Sequence, residues 1–150
     1  GSAFGIFSKL VALLDKRNKV FAFEPYTPRW LANVLNTSLC MNSKLYKTYV
    51  SNEVKKGFTT LAHFSDISGT VPNLIKMDIE GAEYEALLGA EEWLMKYKPT
   101  ILLEFHENIM LNTNRDPQLL RDLFDRIGYV VHKVEHHDVS EGNYVLELRP

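Results

Sequence analysis

Cys40 is the only cysteine in the 150 residues, so no disulfide can form within the chain. That fits a reducing, cytoplasmic setting. No apolar run approaches the roughly 20 residues that a membrane-spanning helix requires. The best stretch, "IFSKLVALL", is short and is broken by Ser8 and Lys9. No secretory leader pattern is present, and no membrane partner is expected. Neither sign of charge dominates: 17 Lys and Arg face 19 Asp and Glu, a net of −2. That argues against a broad cationic face and against nucleic acid as a partner. Internal repeats, low-complexity tracts and linkers are also lacking. The hydrophobic (45%) and charged (24%) fractions suit a globular chain, expected as one domain over 1–150. The chain opens Gly1-Ser2 without an initiator methionine, as a tag scar or a piece cut from a longer parent would.

The pattern alternates. Residues 4–16 carry Ile6, Leu10, Leu13 and Leu14 at helical spacing. "KVFAFE", residues 19–24, reads as a strand. Thr27 offers an N-cap and Pro28 a first-turn proline for a helix reaching about Leu39. Strands are predicted over 45–51, 58–62, 73–78 and 100–105, and helices over 82–88, 91–97 and 117–127, the last ended by Gly128. Residues 129–135 and 144–149 read as an antiparallel pair joined through a polar turn. Strands alternating with helices predict an α/β fold with a mostly parallel sheet and a C-terminal antiparallel hairpin. In such sheets ligands bind at the carboxyl ends of the strands.

Three acidic positions fall at or near such ends: Glu24, Asp78 and Glu104, expected to line one crevice with His106. Glu24 follows "VFAF" and lies about 20 residues beyond a glycine turn, the arrangement that binds ribose hydroxyls. The glycines, Gly1 and Gly5, are spaced G-x-x-x-G, which is not the dinucleotide fingerprint. "DIEGAE" places Asp78, Glu80 and Glu83 within six residues. Glu80 and Glu83 suit the electropositive start of a helix. Asp78 ends an apolar strand and calls for a partner, which a cationic ligand would supply. In "LLEFH", alternation puts Glu104 and His106 on one face, where a carboxylate and an imidazole together can take a proton from a hydroxyl. Glu135, His136, His137 and Asp138 have metal-like spacing but read as a solvated hairpin turn, and nothing in the pattern requires a metal. Asn36-Thr37-Ser38 is discounted as a glycosylation triplet because it falls inside a helix.

With these segments in order, the sequence resembles the FkbM family of S-adenosylmethionine-dependent methyltransferases. "LIKMDIEGAEYEALLGA" is similar to the family's K-x-D-x-E-G-x-E segment, "VFAFEP" to its second-strand signature and "PTILLEFH" to a later strand ending in an acid. "GSAFGIFSKLVALL" looks like its glycine motif and first helix. The resemblance implies a Rossmann-like class I methyltransferase sheet, with the first strand missing because the chain begins at that glycine motif. It implies S-adenosyl-L-methionine as cofactor and O-methylation of a hydroxyl on a sugar or other small metabolite. Gly1 and Gly5 would border the methionine part of the cofactor, Glu24 its ribose and Asn52 its adenine. Asp78 would stand at the reacting end, with Glu80, Glu104 and His106 as candidates for acceptor binding or proton removal. The alternatives are a non-catalytic Rossmann-like binding domain and a nicotinamide-dependent oxidoreductase. The glycine spacing disfavours the second, as do the acids where a pyrophosphate would need amide donors.

Overall fold

The computed structural model describes residues 1–138 and 143–150, and the side chains of 1–132 and 144–150. The side chains of Glu135, His136, His137 and Asp138 lie outside the described residues. The chain separates into two compact units: Gly1–Val50 with Lys55–Phe58, and Ser51–Val54 with Thr59–Pro150.

The first unit holds α1 (Ile6–Leu14), β1 (Val20–Phe23), α2 (Thr27–Thr37), β2 (Ser43–Tyr46) and β3 (Tyr49–Val50). β1 runs parallel to β2, from Val20 opposite Ser43 to Phe23 opposite Tyr46. The Glu24 N–H still reaches the Tyr46 carbonyl at 3.0 Å. Pro25 follows and has no N–H to offer, so the ladder stops there. β2 loses its partner after Tyr46, and the single strand expected over 45–51 divides. β3 pairs instead with β4 (Phe58–Thr59). Asn52 therefore sits in an exposed bend after a two-residue strand, not at the end of a long one.

The two helices of this unit bury faces that hydrophobic periodicity does not single out. α1 buries Ser8 and Ala12, while Ile6 is 71% exposed and Leu14 72%. α2 buries Asn33 and Thr37 and leaves Leu31 and Leu35 exposed. Small and polar residues let the backbones approach. Gly5 shows this: at φ 78° it is left-handed, and a Cβ there would lie 2.1 Å from Asn33 Oδ1. Asn33 Nδ2 donates to Ser2 Oγ at 2.8 Å, tying the first residues to α2. Thr27 is the first helical residue and Tyr26 the N-cap, rather than Thr27 capping as expected.

The second unit adds α3 (Leu61–Ser68), β5 (Leu74–Met77), α4 (Glu83–Leu88), α5 (Glu91–Tyr97), β6 (Thr100–His106), α6 (Glu107–Asn112), α7 (Gln118–Ile127), β7 (Val130–Asp138) and β8 (Asn143–Arg149). Its sheet has the order β5-β6-β8-β7. β5 and β6 are parallel, and β8 lies antiparallel to both β6 and β7. The mixed sheet and its terminal hairpin agree with the α/β expectation. β7 continues to Asp138, so the acid–histidine stretch expected in a turn belongs to the strand.

Two helices replace or add to expected elements. The strand expected over 58–62 forms only at Phe58–Thr59, and α3 follows because Thr60 Oγ1 caps it, accepting the His63 N–H at 3.0 Å. α6 follows β6 directly and was not foreseen.

The core forms where α7 and α5 cover the strands. Leu120, Leu123, Phe124 and Ile127, at helical spacing on α7, are all buried, as are Leu94, Ile101, Leu103 and Leu148. Each such side chain contributes about 1.5–3 kcal/mol relative to exposure. Leu123→Ala is expected to cost about 2–5 kcal/mol in urea denaturation. Leu35→Ala, at a 76% exposed site, should change stability by no more than about 0.5 kcal/mol. Equal losses at the two positions would contradict this division between covered and uncovered stripes.

Candidate active site

β5 and β6 end side by side, and the chain leaving β5 bends sharply. Glu80 has φ 55° and Gly81 φ 94°, so two consecutive residues are left-handed before α4 begins. That costs a non-glycine residue roughly 1–3 kcal/mol and is tolerated where the surroundings hold it. Gly81 is required twice over, because a Cβ there would lie 2.3 Å from Ile109 Cγ2 on α6. The bend turns Glu83 inward at the first turn of α4, where it is 2% exposed.

Glu83 Oε1 accepts the Ile79 N–H at 3.0 Å and contacts His106 Nδ1 at 3.0 Å. His106 ends β6 and is 3% exposed. With Nδ1 committed to Glu83, its Nε2 faces Glu80 Oε2 at 3.6 Å and Glu104 Oε1 at 4.0 Å. Asp78 joins them: ligand-type atoms of Asp78, Glu104 and His106 all lie within 4.8 Å of one another. Lys76 Nζ is 3.3 Å from Asp78 Oδ2, so the partner sought for that carboxylate includes a lysine of its own strand.

The electrostatics follow from this pairing. The hydrogen bond to Glu83 raises the His106 pKa above 6.5; burial opposes it, and the charges of Glu83, Glu80 and Asp78 add to the rise. Burial pushes Glu83 upward, but the His106 bond and the backbone N–H groups of residues 79, 81 and 83 outweigh it and hold the carboxyl below 4.5.

Asp78, Glu80, Glu104 and His106 are thus brought together. Glu83, read as a helix-start residue, carries the larger role of holding His106. Its only sequence signal was an acid three positions beyond Glu80, which a helix start explains equally well. Glu24 belongs to the first unit. It is 3% exposed, with Oε2 accepting the Ala3 N–H at 2.8 Å and Oε1 the Tyr26 N–H at 3.0 Å. It therefore organises the turn between Gly1 and Gly5. Each oxygen retains a lone pair beyond these bonds, which fits a ribose hydroxyl as a further donor. Asn52 accepts from Ser51 Oγ at 3.2 Å, and its backbone packs so closely on Gly89 that a Cβ there would lie 2.2 Å from Asn52 Cα.

The chain belongs to the methyltransferase FkbM domain family, whose model matches residues 27–131. Among solved structures it resembles methyltransferase FkbM from Methylobacillus flagellatus KT, with a TM-score of 0.69 and 20% identity, covering 99% of this chain and 41% of that one. It also resembles a chain of a fibrillarin/Nop5p complex, with a TM-score of 0.69 and 15% identity over 99% of this chain and 68% of that one. A third match is an rRNA methylase from Streptococcus thermophilus, with a TM-score of 0.57 and 12% identity over 99% of this chain and 82% of that one. At such identities the likeness is one of fold. The chain spans about two fifths of the length of the Methylobacillus protein. No curated protein sequence matches it. Among the described residues, no helix is long and apolar enough to cross a membrane.

Two outcomes test this geometry. Gly81→Ala is expected to destabilise the protein by about 1–3 kcal/mol in chemical denaturation, from the left-handed backbone alone, with the Ile109 contact adding to it; a neutral effect would contradict the bend. The Glu83–His106 pair also sets a pH window. The raised His106 pKa stabilises fully below 6.5, and that contribution fades as pH rises through the folded value. The depressed Glu83 pKa stabilises above 4.5, and that contribution is lost as pH falls through its folded value. Glu83→Gln should therefore cost most stability between pH 4.5 and 6.5, where both contributions are full, and flatten the profile below 4.5 and above 6.5. A loss of stability that does not vary with pH would remove the ionic pairing.

Proposed function

We propose that the chain carries out S-adenosylmethionine-dependent methyl transfer to oxygen, on a hydroxyl of a sugar or other small metabolite. The observation that carries this reading is the buried His106, oriented by Glu83, with Nε2 directed at carboxylates beside the ends of β5 and β6. Membership of the FkbM domain family supports the same reaction class. S-adenosylmethionine, when bound, supplies a methyl group on a positively charged sulfur. The residues of the chain prepare the other partner. Glu80, Glu104 and His106 would hydrogen-bond the acceptor hydroxyl and take its proton, while the cofactor would supply the methyl carbon and its sulfur would keep the electron pair of the broken carbon–sulfur bond. Glu83 keeps the imidazole in one orientation, so little reorganisation accompanies the step. General-base assistance of this kind contributes roughly 10²–10⁴-fold, and alignment of the partners roughly 7–11 kcal/mol.

In this reading Glu24 receives the ribose hydroxyls, Gly1 and Gly5 shape the turn beside the methionine part, and Asp78 stands near the cationic sulfur. Asn52 is assigned to the adenine side on sequence position alone. A small-molecule or glycan acceptor suits a chain with a net charge of −2.

His106→Ala is expected to lower turnover about 10²-fold or more while S-adenosylhomocysteine affinity, measured by calorimetry, stays within a few-fold. Parallel loss of both would contradict the assignment. Glu24→Gln should weaken S-adenosylhomocysteine binding with the fold retained by circular dichroism, and unchanged affinity would remove Glu24 from the ribose role. Stabilisation of the wild-type chain by a nicotinamide cofactor alone, or by neither ligand, would favour an oxidoreductase or a non-catalytic binding domain respectively.

A further inference from the structure

We propose that Asp78, Glu104 and His106 form a divalent-cation site. Its location is independent of the methyl-transfer reading; only its use in holding an acceptor rests on that reading. Three side chains from two adjacent strand ends present one nitrogen and two carboxylate oxygens within 4.8 Å of one another. Metal–ligand bonds of about 2.0–2.2 Å place neighbouring donors roughly 3 Å apart and opposed donors roughly 4 Å apart. Drawing the carboxylates in by roughly 1–2 Å brings all three onto one ion. The carboxylates of Asp78 and Glu104 are partly exposed.

The state of His106 is a separate observation that points to a ligand. The residue is 3% exposed, and among the described residues no hydrogen bond to Nε2 is formed. Facing it are the carboxylate oxygens of Glu80 at 3.6 Å and Glu104 at 4.0 Å. Those gaps are too long for hydrogen bonds and match donors that share an ion. The other nitrogen meets a carboxylate that does not belong to the cluster, Glu83, itself anchored by the Ile79 N–H. A carboxylate behind an imidazole fixes its tautomer and makes it a better donor to metal.

The donor set, one imidazole and two carboxylates, suits a hard or borderline ion such as manganese, magnesium or zinc rather than a thiophilic one. Three protein ligands leave coordination positions open for water or acceptor oxygens. With the ion seated, the His106 lone pair is committed to it, and the acceptor's proton is taken by Glu80, whose side chain is 66% exposed and lies beside Nε2. The pattern of the sequence did not call for a metal; the three-dimensional convergence does.

Manganese(II) titration of the full chain, followed by electron paramagnetic resonance, tests the site without cofactor or acceptor. One saturable site is expected, weakened at least 10-fold in Asp78→Asn and in Glu104→Gln but unchanged in Glu92→Gln, an exposed position on α5. Both test variants keep the shape of the side chain, and circular dichroism checks that they fold. Absence of saturable binding, or binding indifferent to both substitutions, would overturn the proposal. S-adenosylhomocysteine calorimetry in parallel separates the two readings. Cofactor binding without manganese binding rejects the cation site alone. Manganese binding without cofactor binding supports the cation site and rejects the methyltransferase reading.

Discussion

The hydrogen bond between Glu83 and His106 is the constraint on which the candidate site depends. Both groups are almost wholly withdrawn from water. A carboxylate in that position would be costly alone, and so would a charged imidazole. Paired, they meet each other's needs, and the Ile79 N–H takes a further share of the negative charge. The consequence is directional. One imidazole nitrogen is used up inside the fold, and the other is left facing three carboxylates at the strand ends.

That pairing explains features around it that would otherwise look unrelated. The chain between β5 and α4 accepts two left-handed residues because only a sharp reversal brings the first turn of α4 against the end of β6. Gly81 is needed for the reversal and for the close approach of Ile109. Glu80 stays outward and exposed, while Glu83, three residues on, is enclosed. Two acids of the same short motif thus have opposite environments, and their chemistry divides accordingly.

The two units build their packing differently. In the second, α7 follows the ordinary rule: its apolar stripe is the buried face. In the first, α1 and α2 meet through Gly5, Ser8, Ala12 and Asn33, and their leucines remain exposed. Capping residues marked α2 and the end of α7, while hydrophobic spacing identified α1. It did not identify the covered face in α1, because a stripe records amphipathicity and not what lies opposite. The expected strand over 45–51 failed for a similar reason. Its residues favour extended structure, but β1 supplies partners only as far as Pro25 allows.

Local pattern by itself determined the alternation of strands and helices, the end of α7 at Gly128, the terminal hairpin and the placing of acids at strand ends. These depend on periodicity, capping chemistry and turn residues, all of which act within a few positions of one another. Only the tertiary structure decided that β8 inserts between β6 and β7, that α3 and α6 form, and that Glu83 reaches a histidine 23 positions away. Burial and hydrogen-bond partners across such separations are selected by which surfaces the chain brings together. A carboxylate at a helix start has the same local signature whether it faces solvent or locks an imidazole.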